Sequence, residues 1–328
     1  MEESDGLVLE TRGLVKRFGE TAAVDSVDIG VGEGTVCGLL GRNGAGKTTL
    51  LRMIMGLLPP DAGAVRLFGR EAPAGDAAAR QAVAGFVEEP KFYPYLSARR
   101  NLELLALLDG DGARVSPDKA LELVDLSRRG RDKVRGFSTG MKQRLGIAAA
   151  LVRSPRLLVL DEPTIGLDPA GAAAVRAMVR EIAEGGGTVF LSSHNMTEVA
   201  DICDSVVIIH EGNKVWDGTL QGLREQAPVA AYRLRTSDDE RAQAVAREHG
   251  VDVTRGPASG LMVRAEDALR DKFVIELGYE NIAVRQLEPD VPPLEALFAS
   301  LTGGTVTTGG TATTGDTVTT GDTGEEAA

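Results

Sequence analysis

The run Gly41-Arg42-Asn43-Gly44-Ala45-Gly46-Lys47-Thr48 has the residue types and the spacing needed to hold a polyphosphate. It fits G-x-x-x-x-G-K-[ST], in which glycines let backbone N–H groups close on phosphate oxygens. The lysine of that pattern reaches the β- and γ-phosphates, and the hydroxyl is placed for Mg²⁺. Gly41, Asn43, Gly44, Ala45, Gly46, Lys47 and Thr48 are therefore candidate nucleotide contacts, with Thr49 next to them where a helix begins. A carboxylate pair, Asp161-Glu162, closes the apolar run Leu157–Leu160. Carboxylates at the C-terminal end of a strand lie where open α/β sheets bind ligands. Asp161 is placed to help hold Mg²⁺, directly or through water. Glu162 is placed to orient or deprotonate an attacking water, a role worth roughly 10²–10⁴-fold in rate. Ser138 and Gly140, in Phe137-Ser138-Thr139-Gly140-Met141-Lys142-Gln143-Arg144, open a long helix. A cap-like serine, a glycine and free N–H groups at a helix start make a further anion site. A chain with one phosphate loop has no obvious internal use for a second.

These residues need a scaffold, and the pattern supplies one. Thr35–Leu40 reads as a buried strand and Thr48–Ile54 as a helix, so the glycine loop lies between strand and helix. Strand-like runs at Val65–Phe68, Ala82–Val87, Leu157–Leu160, Thr188–Leu191 and Val206–His210 alternate with helical ones. The helices fall at Asn101–Leu108, Ser116–Val124, Thr139–Val152, Ala170–Glu184 and Thr197–Ile202. Such alternation predicts an α/β layer with a mostly parallel sheet over residues 7–226. The stretch from about 92 to 150 holds no convincing strand and predicts an inserted helical subdomain. Residues 228–302 read as a small α+β accessory module, whose β-α-β-β-α-β order over 228–288 predicts a ferredoxin-like unit. A short amphipathic helix follows Pro292-Pro293. Residues 303–328 are a Thr/Gly/Asp hexapeptide repeat, predicted to be disordered because it lacks the apolar surface that offsets chain entropy.

Composition narrows the classes. The 328 residues are 43% hydrophobic, ordinary for a folded core. No apolar run approaches the ~18–20 residues of a membrane helix, and the acidic start Met1-Glu2-Glu3-Ser4-Asp5 does not resemble a signal peptide. Cys37 and Cys203 are the only cysteines, each inside a regular element, which predicts a reducing compartment and no disulfide framework. A net charge of −12 opposes nonspecific attraction to nucleic acid, and no nucleic-acid partner is expected. A GTPase reading fails for want of an N-K-x-D guanine motif.

The phosphate loop, the helix start Phe137–Arg144 and Asp161-Glu162-Pro163-Thr164-Ile165-Gly166-Leu167-Asp168 together resemble the ordered motifs of ABC-type ATPases. The resemblance runs nearly end to end over residues 7–226. It implies a P-loop NTPase fold of the ABC ATPase kind, ATP and Mg²⁺ as cofactors, and hydrolysis with Glu162, His194 and Lys47 as catalytic residues. It also implies that Ser138 and Gly140 of one subunit cap the γ-phosphate held by another, which predicts a second ATPase subunit, here a homodimer. Phe18 stands where the family stacks an aromatic on adenine, and Asn43 is usual in its loop. His194 matches the histidine that contacts the γ-phosphate, and Asp168 the aspartate that couples the two sites. Glu88 occupies the place of a glutamine that touches Mg²⁺, giving Thr48, Asp161 and Glu88 as metal candidates. The added carboxylate predicts hydrolysis that survives at a reduced rate. This loop resembles a subset concerned with export of, and resistance to, antibiotics and peptides. The implied partner is a separate transmembrane permease, placing the chain in the cytoplasm on the inner face of the membrane. A ribosome- or DNA-directed ABC ATPase would carry two cassettes or a long coiled coil, which the sequence lacks. An ATP-gated binding module without hydrolysis is opposed by Glu162 and His194.

Overall fold

The structure, a computed structural model, describes residues 6–109, 114–256 and 260–303. The chain divides into two units, one of residues 6–229 with 292–303, the other Ala230–Val291. The predicted disorder of the repeat falls, from residue 304 onward, outside the described residues.

The first unit holds two sheets. Strands β1 (Leu7–Phe18), β2 (Thr21–Gly32), β4 (Ala62–Leu67) and β5 (Arg70–Glu71) form an antiparallel sheet in the order β2-β1-β4-β5. The larger sheet has the order β10-β9-β3-β8-β7-β6, from β3 (Val36–Leu40), β6 (Val83–Phe86), β7 (Leu157–Leu160), β8 (Thr188–Ser193), β9 (Ser205–His210) and β10 (Asn213–Thr219). Its pairs are parallel, except that β10 closes the edge antiparallel to β9. Sheets covered on both faces favour continuous apolar strands, and β7, Leu-Leu-Val-Leu, is buried throughout.

Alternation along each strand divides this core in two. Leu39, Leu157, Val159 and Phe190 pack on one side with Leu50 and Ile54 of α1 (Lys47–Ile54) and with the antiparallel sheet. Leu40, Leu158, Leu160 and Leu191 pack on the other side. There they meet α4 (Thr139–Leu151), α5 (Pro169–Glu184), α6 (Met196–Ile202) and α7 (Leu220–Glu225). Each such buried side chain contributes about 1.5–3 kcal/mol, so the strand ends that carry the chemistry rest on a rigid layer. The helical insertion lies between β6 and β7: α2 (Ala98–Asp109), α3 (Pro117–Leu123) and α4. Ser116 caps α3 by accepting from the Lys119 N–H, and Pro117 fits its first turn.

The second unit runs β11 (Ala231–Thr236), α8 (Asp239–Glu248), β12 (Asp252–Arg255), β13 (Leu261–Arg264), α9 (Asp267–Tyr279) and β14 (Val284–Val291). Its strands pair antiparallel in the order β12-β13-β11-β14. It has its own core around Leu234, Val263, Phe273 and Leu277.

The last helix, α10 (Pro293–Leu301), belongs to the first unit, although the sequence grouped it with the accessory module. Leu294, Leu297, Phe298 and Leu301 lie against the first unit's core. The Thr197 hydroxyl on α6 donates to Glu295 Oε1 at 2.8 Å. No helix among the described residues is long and apolar enough to cross a membrane.

Candidate nucleotide site

The glycine loop joins the C-terminal end of β3 to α1, and its backbone explains its composition. Gly44 and Gly46 have φ of 83° and 104°, a region L side chains rarely adopt. A Cβ on Gly46 would stand 2.2 Å from the Ala23 carbonyl oxygen, and one on Gly41 2.7 Å from that of Ile209. Gly46 is the N-cap of α1 and offers no side-chain cap, so the N–H groups of the first turn, Thr48 and Thr49 among them, remain donors for an anion. Ala45 is buried beneath the loop, and Asn43 is exposed upon it.

Lys47 is buried at 6% exposure. Its Nζ donates to the Gly41 carbonyl at 2.7 Å and lies 3.0 Å from Glu162 Oε1. The other carboxylate oxygen, Oε2, is 2.8 Å from Nδ1 of His194. Lysine, glutamate and histidine thus form one line at the ends of α1, β7 and β8. Glu162 has a left-handed backbone, φ 47°, held by its N–H donating to Ser192 Oγ at 2.9 Å. Left-handed geometry in a residue without glycine's freedom costs of order 1–3 kcal/mol and clusters at functional sites.

Ser192 also donates to Asp161 Oδ1 at 2.6 Å. The second Asp161 oxygen accepts from Thr48 Oγ1 at 3.0 Å and from the Glu88 N–H at 3.2 Å. Glu88 therefore sits beside the expected metal donors through its main chain, while its carboxylate binds the Arg52 guanidinium at 2.5 Å. Phe18, half exposed, stands at the end of the β1–β2 hairpin, whose Ala23 touches Gly46. The Lys16 ammonium is 5.9 Å from the Phe18 ring centre.

The remaining expected residues sit at the starts of two helices. Ser138 is the N-cap of α4 and accepts from the Met141 N–H at 3.2 Å. Asp168 is the N-cap of α5 and accepts from the Gly171 N–H at 2.8 Å. Gly140 faces Leu167, and a Cβ there would meet its Cδ2 at 3.4 Å. Among the described residues, no hydrogen bond joins Ser138, Gly140 or Asp168 to the phosphate loop.

A family model described as ABC transporter matches residues 24–165. The bacitracin transport ATP-binding protein BcrA of Enterococcus faecalis is 35% identical over 300 residues, 90% of this chain and 97% of the relative. The chain belongs to the ABC transporter ATP-binding proteins. The daunorubicin/doxorubicin resistance protein DrrA of Streptomyces peucetius is 34% identical, with 90% of this chain and 92% of DrrA covered. A solved ATP-binding subunit of an ABC transporter superposes with a TM-score of 0.59 at 32% identity, over 67% of this chain and 92% of its own. The chain is accordingly an ATPase with the ABC form of the P-loop NTPase fold.

Three contributors escaped the sequence reading. Ser192 binds both halves of the carboxylate pair, and Arg52 binds Glu88. Glu198 Oε2 accepts from Thr164 Oγ1 at 2.7 Å and from Ser193 Oγ at 3.2 Å, tying the turn after Glu162 to the turn before His194. A signal for the serine was present: a hydroxyl at the buried end of an apolar strand needs a partner.

Proposed function

We propose that this ATPase is the nucleotide-binding subunit of an exporter, in which two copies close around two Mg·ATP and drive a separate membrane subunit. The observation that carries the reading is the partition of the site. Lys47 and His194 each hold one oxygen of Glu162, at 3.0 and 2.8 Å, whereas among the described residues Ser138 and Gly140, at the start of α4, share no hydrogen bond with the phosphate loop. A second copy brings its Ser138 and Gly140 to the γ-phosphate, and each Asp168 lies at the junction of the two sites. Phe18 stacks on adenine.

Thr48 Oγ1 and Asp161 Oδ2, hard oxygen atoms 3.0 Å apart, suit Mg²⁺, which favours oxygen ligands and keeps several waters. Held there by Thr48 and Asp161, Mg²⁺ would supply positive charge against the negative charge that develops on the triphosphate. Lys47 and Glu162 neutralise each other until the triphosphate engages Lys47. Glu162 is then free to accept the proton of the attacking water, with His194 holding its other oxygen and the γ-phosphate in place.

Export is supported by the names of the relatives, a bacitracin transport protein and a daunorubicin/doxorubicin resistance protein. A membrane partner is supported by an apolar cavity of about 440 Å³ beside the Glu88 loop, lined by Phe86, Phe92, Leu105 and Leu108. Next to it Tyr93 and Tyr95 are more than half exposed, with ring centres 5.8 Å apart. With that partner, the working protein lies on the inner face of the membrane. The antiparallel β-α-β-β-α-β order of the second unit supports the ferredoxin-like reading of the accessory module.

The test is affinity purification of a tagged Glu162→Gln chain from detergent-solubilised cells with ATP present. A polytopic membrane protein in near-equal amount is the expected companion. Repeated recovery of ribosomes or DNA without membrane protein would overturn the assignment.

A further inference from the structure

Glu88 stands where the family's glutamine is usual, and its surroundings give it a second partner. Its backbone is left-handed, φ 69°, a conformation that a glutamate holds only when other contacts over-determine it. One such contact is the Glu88 N–H donating at 3.2 Å to Asp161 Oδ2, the oxygen that also accepts from Thr48. The Glu88 main chain is thereby fixed beside the metal donors. Arg52 follows Thr48 by four residues on α1, so both project from one face of that helix. The guanidinium meets the Glu88 carboxylate at 2.5 Å, with the side chains 40% and 62% exposed.

We infer that Arg52 acts as a positioning residue that holds the Glu88 carboxylate off the nucleotide's cation, and so sets the Mg²⁺ concentration at which nucleotide binds. The inference rests on the Mg·ATP reading above. Glu88 has two competing partners, the fixed guanidinium and a cation on Thr48 and Asp161. Pairing with Arg52 also removes the bare negative charge that a carboxylate in place of an amide brings toward the phosphates. An exposed pair of this kind is worth a few-fold in an equilibrium. That is enough to tune Mg²⁺ dependence and too little to abolish binding. The same arrangement makes the Glu88 loop, which borders the apolar cavity at Phe86 and Phe92, responsive to whether the cation or Arg52 holds the carboxylate.

The experiment measures binding of a fluorescent, non-hydrolysable ATP analogue to the full chain during Mg²⁺ titration. It compares wild type, Arg52→Met, Glu88→Gln and the double variant. Arg52→Met is expected to lower the half-saturating Mg²⁺ concentration about two- to five-fold, and this shift is expected to vanish in the Glu88→Gln background. Loss of a positive charge alone would act equally or more strongly once Glu88 is neutral. An equal or larger shift in that background therefore overturns the inference, as does no shift in either. Analogue binding that is independent of Mg²⁺ in the wild-type chain defeats the Mg·ATP reading itself and the inference with it.

Discussion

Ser192→Ala is the most informative single substitution, because one hydroxyl serves both carboxylate-bearing residues. Ser192 is fully buried, donates to Asp161 Oδ1 at 2.6 Å and accepts from the Glu162 N–H at 2.9 Å. Alanine leaves the Glu162 N–H without its partner, at a cost of about 1–3 kcal/mol, and removes a charge-assisted bond worth about 1.5–3 kcal/mol. The two losses share one site and are not additive; a destabilisation of about 2–4 kcal/mol is expected. For a unit of this size that corresponds to a fall in Tm of roughly 5–15 °C. The catalytic effect has a separate signature. Asp161 keeps its bonds from Thr48 and Glu88 but loses the one that fixes its other oxygen, while Glu162 loses the contact that holds its left-handed backbone. Groups that orient metal-binding side chains typically cost 10–100-fold in affinity or activity when removed. The expected outcome is a 10–100-fold lower kcat together with a raised half-saturating Mg²⁺. Urea unfolding and Mg²⁺-titrated phosphate release measure the two parts. A variant within 0.5 kcal/mol of wild type in stability and within about two-fold in both kinetic terms would refute the role given to Ser192.

Gly46→Ala places a Cβ 2.2 Å from the Ala23 carbonyl at φ 104°. A displaced phosphate loop should weaken ATP-analogue binding by at least about ten-fold, equivalent to about 1.4 kcal/mol, and near-normal binding would show that the loop adapts. The cysteines should be inert in the native chain. Burial, the largest cause, pushes the Cys37 thiol from 9.0 to about 11 and raises Cys203 as well. Ellman's reagent at pH 8 should therefore label neither in native protein and both in urea. Because the folded state holds the Cys37 proton more tightly, its contribution to stability is complete below pH 9.0 and is lost as pH rises toward 11. Chemical denaturation midpoints across that window should fall, and flat midpoints would exclude the linkage.

How much of this was legible in the sequence depended on whether the physics was local. The phosphate loop, Thr48, Asp161 and Glu162 are contiguous with the strands and helices that carry them, so residue order alone gives their places at the ends of those elements. Ser192 acts through a neighbouring strand, and the parallel register of β7 with β8 cannot be read from either strand by itself. The β1–β2 hairpin was missed because bulges interrupt its pairing at Leu7/Leu9, Thr11/Leu14, Leu14/Lys16 and Lys16/Arg17, breaking the alternation that announces a strand. A mostly parallel sheet was expected over the whole domain. It describes the larger sheet, while Val65–Leu67 belongs to the antiparallel one. A helix does follow Pro292-Pro293, but its apolar residues give no sign in the sequence of which core they lie against. Glu88 was read as a departure at the metal position, and nothing in its neighbours along the chain indicated Arg52.

The proposed function requires two chains to complete each site. The direct measurement is the molar mass of purified Glu162→Gln chain by light scattering, with and without Mg·ATP, alongside the same chain carrying Ser138→Arg. The mass is expected to double with Mg·ATP, to remain single without it, and to stay single in the Ser138→Arg variant although nucleotide still binds. A chain that binds Mg·ATP and stays single, or that doubles equally well with Ser138→Arg, would contradict it.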